Sequence, residues 1–566
     1  MSWTVDRRVF VGGMGAMAAA GLQGSARAAD GRRLNVLMII TDQEQSPASW
    51  PTGLLEKLPH HRELLERGLL IENYHVQTTP CSPSRSTIFS GHHTQQTGVY
   101  LNTDTPPNPV PADDMPTLGH MLQAAGYYTS YKGKWHLSQI NKERNWNQVP
   151  GGIYPTTENA MEKYGFHDYG FDGESVGLTW DGYRSDLFVA ADASRALFDY
   201  ARRDKAGGKP WFQVVGLVNP HDIMFYDATG HQAEGRPDPN ILGPLRREPG
   251  DPIYEVDNGF DLPESFYKDD LSTKPEAHRA IVRLNDLFYG PIPHSDEASW
   301  HRFINYYYNC LRDVDRRLGQ ILWALKASGQ MDNTIIVYTT DHGERAAAHG
   351  MRQKAGTMYR EEVNVPMIIV HPDFPGGRRT QRLMSAIDLA PTLMGLAGMT
   401  PAQAAERFPG LPGVDVGGLL ADASAPTERD RRGHLFDYAV AYMWEPRKGG
   451  RPNTTQGALD YDKIYDLSKR RLHRGVHDGR WKFARYFAPA QHHTPKDWET
   501  LNRLNDLELY DTQADPHEIT NLAYDPAQRK NVLRLNAMVT DLIAREIGRD
   551  DGSEYPGPTS IYNTLG

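Results

Sequence analysis

Four apolar runs, each broken abruptly by polar residues, constrain this chain most. Leu34–Thr41, Trp211–Val218, Thr334–Thr340 and Val365–Val370 are near-continuous stretches of aliphatic, β-branched and aromatic residues. A strand with one wet face alternates apolar and polar side chains, whereas a strand buried on both faces does not. These runs therefore predict inner strands of a large, mainly parallel sheet flanked by helices, an α/β architecture. Helical patterns lie between them: Leu118–Ala125 is one, and Ile304, Tyr307, Leu311, Val314, Leu318, Ile321 and Leu325 recur at spacings of three and four. The first three runs end in Asp42-Gln43, in Asn219-Pro220-His221-Asp222 and in Asp341-His342-Gly343. One such Asp reads as a turn residue or a helix cap. Three polar clusters at equivalent positions point to a site, because open α/β sheets bind ligands at the carboxyl ends of their strands.

Beyond about residue 430 the pattern changes. Ala421–Arg432 reads as a linker, and Leu435–Tyr442, Trp481–Phe487 and Leu507–Tyr510 as short strands. An amphipathic helix is expected over Arg529–Ile547. The division expected is a main domain over 34–430 and a smaller α+β subdomain over 431–566, within reach of a 566-residue chain. Gly230–Pro252, rich in Gly, Pro and charge, reads as a surface excursion near the mouth of the site, and no internal repeat is visible. At the N-terminus, Arg7-Arg8-Val9-Phe10 precedes a small-residue stretch from Val11 to Leu22 and an Ala26-Arg27-Ala28 cleavage pattern. This predicts a twin-arginine-type export signal over 1–29 and a bacterial protein delivered to the periplasm or secreted. The stretch is too short and Gly-rich to span a bilayer, and no other run is long enough, so no membrane span is expected in the mature chain. Acidic residues (71) outnumber Lys plus Arg (61), giving a net charge of -10, which argues against a duplex nucleic-acid partner. An anionic ligand would have to be met by a local concentration of positive charge.

The chain has two cysteines, Cys81 and Cys310. An exported protein could pair them, but Cys310 falls inside the helical pattern and reads as core packing. Cys81 opens the segment Cys81-Ser82-Pro83-Ser84-Arg85-Ser86-Thr87-Ile88-Phe89-Ser90-Gly91. Pro and Ser favour the first turn of a helix. That places Cys81 at a helix N-terminus, where free N–H groups suit an anion, with Arg85 one turn on along the same face. Lys134 and His136, two residues apart on an expected extended segment, face one side. Oxygen donors such as Asp42, Gln43 and Asp341 suit Ca²⁺ or Mg²⁺, and His342 admits Mn²⁺.

Cys81-Ser82-Pro83-Ser84-Arg85 resembles the signature of the formylglycine-dependent (type I) sulfatases, within the alkaline phosphatase superfamily. Gly126-Tyr127-Tyr128-Thr129-Ser130-Tyr131-Lys132-Gly133-Lys134-Trp135-His136 resembles that family's second signature. Asp388–Leu393 is similar to its late helix, and Glu508–Asp511 with Asp515-Pro516, Glu518 and Asn521-Leu522 to its C-terminal signature. The resemblance implies an alkaline phosphatase-like fold and oxidation of Cys81 to formylglycine by a formylglycine-generating enzyme before export. The hydrated aldehyde then attacks sulfur. It also implies one divalent metal, held by Asp42, Gln43, the residue at position 81, Asp341 and His342. Arg85, Lys134, His136, His221 and Lys354 handle the sulfate and the leaving group, with Arg352 a weaker candidate.

The commoner family pattern has two acidic residues at Asp42-Gln43 and Asp-Asn at Asp341-His342, and the variants here resemble those of choline sulfatases and phosphonate monoester hydrolases. The expected activity is hydrolysis of a small-molecule or saccharide sulfate ester, with Ca²⁺ the first choice of metal and Mn²⁺ or Mg²⁺ the others. The alternative is a phosphonate monoester or phosphodiester hydrolase, favoured by Gln43 and His342 and opposed by Lys134-Trp135-His136. A non-enzymatic anion binder and a hydrolase using the unmodified Cys81 thiolate are the readings from other classes. Trp50, Tyr74, Tyr100 and Trp444 are candidate pocket aromatics.

Overall fold

The structure, a computed structural model, describes residues 33–552 except 106–108, 139–153, 156–158, 170, 173–174, 206, 237–242, 440–465 and 467. The export signal expected over 1–29 and Trp444 lie outside the described residues. The strands in chain order are β1 (Asn35–Asp42), β2 (Leu69–His75), β3 (Tyr128–Gly133), the short pair β4 (Tyr154–Pro155) and β5 (Phe171–Asp172), β6 (Trp211–Pro220), β7 (Thr334–Thr340), β8 (Met367–Val370), β9 (Arg378–Ser385), β10 (His434–Tyr438), β11 (Leu472–His477), β12 (Trp481–Phe487) and β13 (Asp506–Asp511).

The main sheet has seven strands in the order β3-β6-β1-β7-β8-β2-β9. β1 lies between β6 and β7, parallel to both, with Val36 opposite Phe212 on one side and Ile335 on the other. Its eight residues are all buried. Alternate side chains enter opposite cores. Val36, Met38 and Ile40 pack with Ile88, Phe89, Leu118 and Leu393, while Leu37 and Ile39 pack with Val189, Leu197, Tyr307, Leu311 and Leu318. Helices therefore cover both faces, as a continuous apolar run requires. Asp181–Lys205 and Glu297–Ala327 lie on one face. Cys81–Ser90, Leu118–Ala124 and Leu389–Leu396 lie on the other.

β8, the fourth apolar run, is antiparallel to both its neighbours, so the sheet is mixed around a parallel centre. β2, β9 and β11 were not apparent from hydrophobicity. β2 and β9 carry Glu72, Arg378, Arg379 and Gln381 on partly exposed positions, and the polar β11 residues His473, Arg474 and His477 are buried against neighbouring strands.

β10, β11, β12 and β13 form an antiparallel sheet. One face packs on the terminal helix, Arg529–Leu542, through Leu435, Val476, Phe483 and Leu509 against Val532, Leu535 and Val539. The helix continues as a π-turn over Ile543–Ile547. The other face meets the main domain through both apolar and polar contacts, with Phe436, Ala484 and Tyr486 entering the main-domain core. The Glu508 carboxylate accepts from Tyr486 (2.8 Å) and Tyr510 (2.9 Å) and lies 3.3 Å from His278 Nε2. The stretch read as a linker is not a passive tether. It contains the helix Glu428–Arg432, capped by Thr427. Arg429 is buried there, donating to Asp388 (2.6 and 2.9 Å) and Glu546 (2.5 Å). An unpaired buried guanidinium would be costly, and the two carboxylates satisfy it.

His93 belongs to the same junction, between Asp437 (Nδ1 to Oδ2, 3.0 Å) and Glu546 (Nε2 to Oε2, 3.1 Å). Burial lowers its pKa, but the two carboxylates outweigh burial and raise it from 6.5 to about 9. A folded-state pKa above the unfolded value makes the imidazolium's stabilisation full below pH 6.5 and lost as pH rises through about 9. The contribution is about 3 kcal/mol at its largest. The melting-temperature gap between wild type and His93→Phe should shrink on going from roughly pH 6 to pH 10. A gap independent of pH would mean that His93 does not titrate in this interval.

Candidate active site

The carboxyl ends of β3, β6, β1 and β7 are adjacent in the sheet, so the residues that follow them converge. Asp42 closes β1 and is fully buried, and Gln43 beyond it has a left-handed backbone (φ 73°). Asp341 and His342 follow β7 and are equally buried. From β2 the chain runs into the Cys81–Ser90 helix, whose first residue is Cys81 and whose end is set by Gly91 at φ 73°. Cys81 Sγ lies 3.2 Å from His342 Nε2 and 3.6 Å from Asp42 Oδ1. One turn on, Arg85 donates to Asp341 Oδ2 (2.7 Å) and to the Lys134 carbonyl (2.9 Å), and sits 3.7 Å from Asp42 Oδ2. Cys81 and Cys310 are both free thiols, and Cys310 is packed in the core.

Lys134 and His136 reach the site differently from the expected extended segment. β3 ends at Gly133 (φ 93°), where a Cβ would stand 2.1 Å from the Gly216 carbonyl oxygen, so glycine is required. Beyond it the chain turns, and His136 itself is left-handed at φ 55°. Side-chain alternation therefore does not decide their direction. Lys134 Nζ lies 2.5 Å from Asp42 Oδ2 and donates to the Val176 carbonyl (2.8 Å). His136 Nε2 is 3.6 Å from Asp104 Oδ1. Burial disfavours the His136 imidazolium, yet Asp104 and Cys81 raise its pKa to about 9.

His221 follows β6 and is buried with Gly177 against its ring, where a Cβ would approach to 2.5 Å. Burial, then the charge of Lys354, pushes its pKa well below 6.5, with Asp42 opposing. The two histidines are thus unlike: His136 carries charge at neutral pH and His221 does not. For Asp42, burial favours the neutral carboxyl, but the nearby cations, Lys134 first and Lys354 with it, hold it well below the usual carboxylate range.

Lys354 comes from a loop whose Ala346, Ala347, His349, Gln353 and Ala355 all have positive φ. Its ammonium donates to Gln43 Oε1. The loop is held by groups the motif reading missed. Glu344 Oε1 accepts from the Gln353 (2.6 Å) and Ala346 (3.1 Å) amides. Arg345 donates to the carbonyls of Arg352, Gln353 and Ala355 and pairs with Glu362 at 2.8 Å. Glu362 also accepts from the amide of Ala355, Thr357 Oγ1 and Thr79 Oγ1. A buried Glu-Arg sequence directly after Asp341-His342-Gly343 is the signal that could have drawn attention to them. Arg352 is not in the site: its guanidinium is anchored to the Asn285 and Gly290 carbonyls and Asp286. Tyr74 and Tyr100 are core residues and Trp50 packs edge-on to His61, so none of the three is shown lining a pocket.

Ligand atoms of Asp42, Cys81, Asp341 and His342 all lie within 4.8 Å of one another. Two buried carboxylates and an imidazole are a fitting donor set for a divalent cation. Asp42 Oδ1 lies 3.6 Å from both Cys81 Sγ and His342 Nε2 and is the oxygen turned toward the cluster, while Oδ2 pairs with the Lys134 ammonium. Among the described residues no helix is long and apolar enough to cross a membrane.

A mixed, mostly parallel seven-stranded sheet flanked by helices, with a smaller antiparallel sheet after it, is the architecture of solved sulfatase structures. The Sulfatase family model matches residues 34–399, and the chain belongs to that family of sulfuric ester hydrolases. It is 27% identical over 381 residues to the uncharacterized sulfatase YidJ of Escherichia coli, covering 65% of this chain and 68% of that protein. It is 25% identical over 500 residues to a Delta 4,5-hexuronate-2-O-sulfatase of Bacteroides thetaiotaomicron, covering 86% and 84%. The fold is similar to a phosphonate monoester hydrolase from Silicibacter pomeroyi, with a TM-score of 0.62 at 20% identity over 91% of this chain and 96% of that one.

Removing one partner of a buried ion pair costs about 3 to 5 kcal/mol because the other charge is stranded. Arg345→Met should therefore lower the melting temperature and reduce activity together, since Glu362 loses its cation and the Arg352, Gln353 and Ala355 carbonyls lose the guanidinium that gathers them. Calorimetry and an ester-hydrolysis assay on one preparation check this; full activity in a destabilised variant would show that the Lys354 loop does not need the pair.

Proposed function

We propose that the chain hydrolyses sulfate monoesters to an alcohol and inorganic sulfate, using a formylglycine made from Cys81 and one divalent cation held by Asp42, Gln43, the residue at position 81, Asp341 and His342. The observation that carries this reading is the four-residue cluster at the first turn of the Cys81–Ser90 helix, within reach of Arg85 and Lys134. When bound, the cation supplies fixed positive charge against the ester oxygens and the nucleophile; Ca²⁺ is the first choice and Mn²⁺ or Mg²⁺ the others. A hydrated aldehyde at position 81 supplies two hydroxyls, one to attack sulfur and one to expel the sulfate afterwards.

The chain's own groups do the remaining work. Arg85 ties Asp341 to the Lys134 backbone and keeps the carboxylates in place without a reorganisation step. Lys134 and Lys354 bring ammonium groups to the sulfate oxygens. His136, charged at neutral pH, hydrogen-bonds the group at position 81. His221, neutral and with Nδ1 unengaged, offers the bridging oxygen a hydrogen bond. The hexuronate sulfatase relative supports a saccharide sulfate, with a small-molecule sulfate the other possibility.

A second reading, hydrolysis of phosphonate monoesters or phosphodiesters, is favoured by Gln43 and His342 and by the fold likeness to a phosphonate monoester hydrolase. The proposal also includes a catalytic domain over 34–430, a C-terminal subdomain over 431–566, and twin-arginine-type export to the periplasm or beyond after a generating enzyme has acted on Cys81.

The test is kcat/KM on an aryl sulfate and on a matched aryl phosphonate monoester, with Cys81→Ala as blank. A strong sulfate preference, abolished in the blank, is expected; a phosphonate preference would transfer the conclusion to the second reading. Peptide mass analysis should find an aldehyde at position 81, and an unmodified thiol in fully active protein would eliminate the formylglycine mechanism.

A further inference from the structure

We propose that Glu344 is a positioning residue that orients the Gln43 carboxamide, so that its carbonyl oxygen rather than its amino group faces the cation site. This inference rests on the reading of Gln43 as a metal ligand. The two ends of a carboxamide are nearly isosteric, and only the oxygen has a lone pair to give a cation. Something must therefore choose the rotamer.

The surroundings of Gln43 are asymmetric in the required sense. Its Nε2 donates to Glu344 Oε2 and to Gln353 Oε1 (3.2 Å), both acceptors. Its Oε1 accepts from the Lys354 ammonium. Turning the amide over would set oxygen against a carboxylate and an amino group against an ammonium, two repulsive contacts in a fully buried place.

Glu344 is itself immobilised. Its second oxygen takes the Gln353 and Ala346 amides at 2.6 and 3.1 Å, and its backbone carbonyl accepts from Gln45 Nε2 at 2.7 Å. The Gln43 backbone is pinned from the other direction: Tyr307 Oη donates to its carbonyl at 2.9 Å, and its amide donates to Asp341 Oδ1 at 3.3 Å. A carboxylate at position 43 would be symmetric and need no such control. With an amide there, the negative charge stands one residue behind the ligand and polarises it, as outer partners of metal ligands do.

The experiment is calorimetric titration of metal-stripped protein with Ca²⁺ and, separately, with Mn²⁺. Wild type, Gln43→Ala, Glu344→Gln and the double variant Gln43→Glu/Glu344→Gln are compared. In Glu344→Gln an amide oxygen can still take both loop amides, so the loop stays. The new amino group then faces Gln43 Nε2 and turns the carboxamide. The expected result is a Kd raised about 10- to 100-fold. The double variant exchanges the amide and the carboxylate between the two positions, restores donor to acceptor, and should bind within a few-fold of wild type. Unchanged binding in Glu344→Gln, or a folded double variant as weak as Glu344→Gln, overturns the proposal. Wild-type affinity in Gln43→Ala overturns it through the ligand assignment, and that result is distinct because it leaves the Glu344 variants uninformative about orientation. If wild type binds neither ion, the metal reading itself fails.

Discussion

The site is built around a buried guanidinium. Arg85 is fully enclosed, and it persists there because Asp341, the Lys134 carbonyl and the nearby Asp42 carboxylate compensate the loss of water. Burial disfavours its charge, and Asp341 chiefly restores it. This one side chain joins the Cys81 helix to the ends of β1, β3 and β7. Cys81 is placed by the same geometry, because one helical turn separates it from Arg85. The local excess of positive charge needed by an otherwise acidic protein is thus made by cations that the fold cannot release to solvent, and a site organised in this way does not need to reorganise when an anion arrives.

Around this centre the groups divide by attachment. Asp42, Asp341 and His342 sit at strand ends and inherit the rigidity of the parallel sheet. Lys354 instead sits on a loop with several left-handed residues, an unfavourable backbone for side chains other than glycine. The loop keeps that shape because Glu344, Arg345 and Glu362 satisfy its amides and carbonyls from inside. Strain near the chemistry is compensated by buried polar bonds next to it.

The C-terminal sheet has a comparable role at longer range. Its outer face is an ordinary apolar contact with the terminal helix. Its inner face joins apolar packing of Phe436, Ala484 and Tyr486 against the main-domain core to the buried pair of Glu508 with His278, and the junction beside it is ionic, through His93, Arg429 and Glu546. Met358, Tyr359 and Glu362 stand between that sheet and the Lys354 loop, with Lys482 of β12 donating to the Met358 carbonyl at 2.8 Å. The subdomain therefore supports the segment that leads away from the site.

The inner strands and the carboxyl-end clusters were legible in the sequence because a strand covered on both faces must be apolar along its length. β1, β6 and β7 follow the apolar runs closely, and β12 coincides with its predicted span. Cys81, Arg85, Asp42, Asp341 and His342 could be named because short local motifs hold their spacing. Tertiary structure alone decided the rest. The polar strands β9 and β11 owe their existence to neighbours, not to their own hydrophobicity. The direction of β8 depends on which strands it finds beside it. The turn at Gly133 depends on the Gly216 carbonyl of the adjacent strand, and with it the approach of Lys134 and His136. The different protonation of His136 and His221 comes from Asp104 and Cys81 beside the first ring and from burial, then Lys354, at the second, surroundings that only the fold assembles. Local propensity and periodicity reach a few residues along the chain, whereas electrostatics and close packing act through space, and only the folded chain brings those partners together.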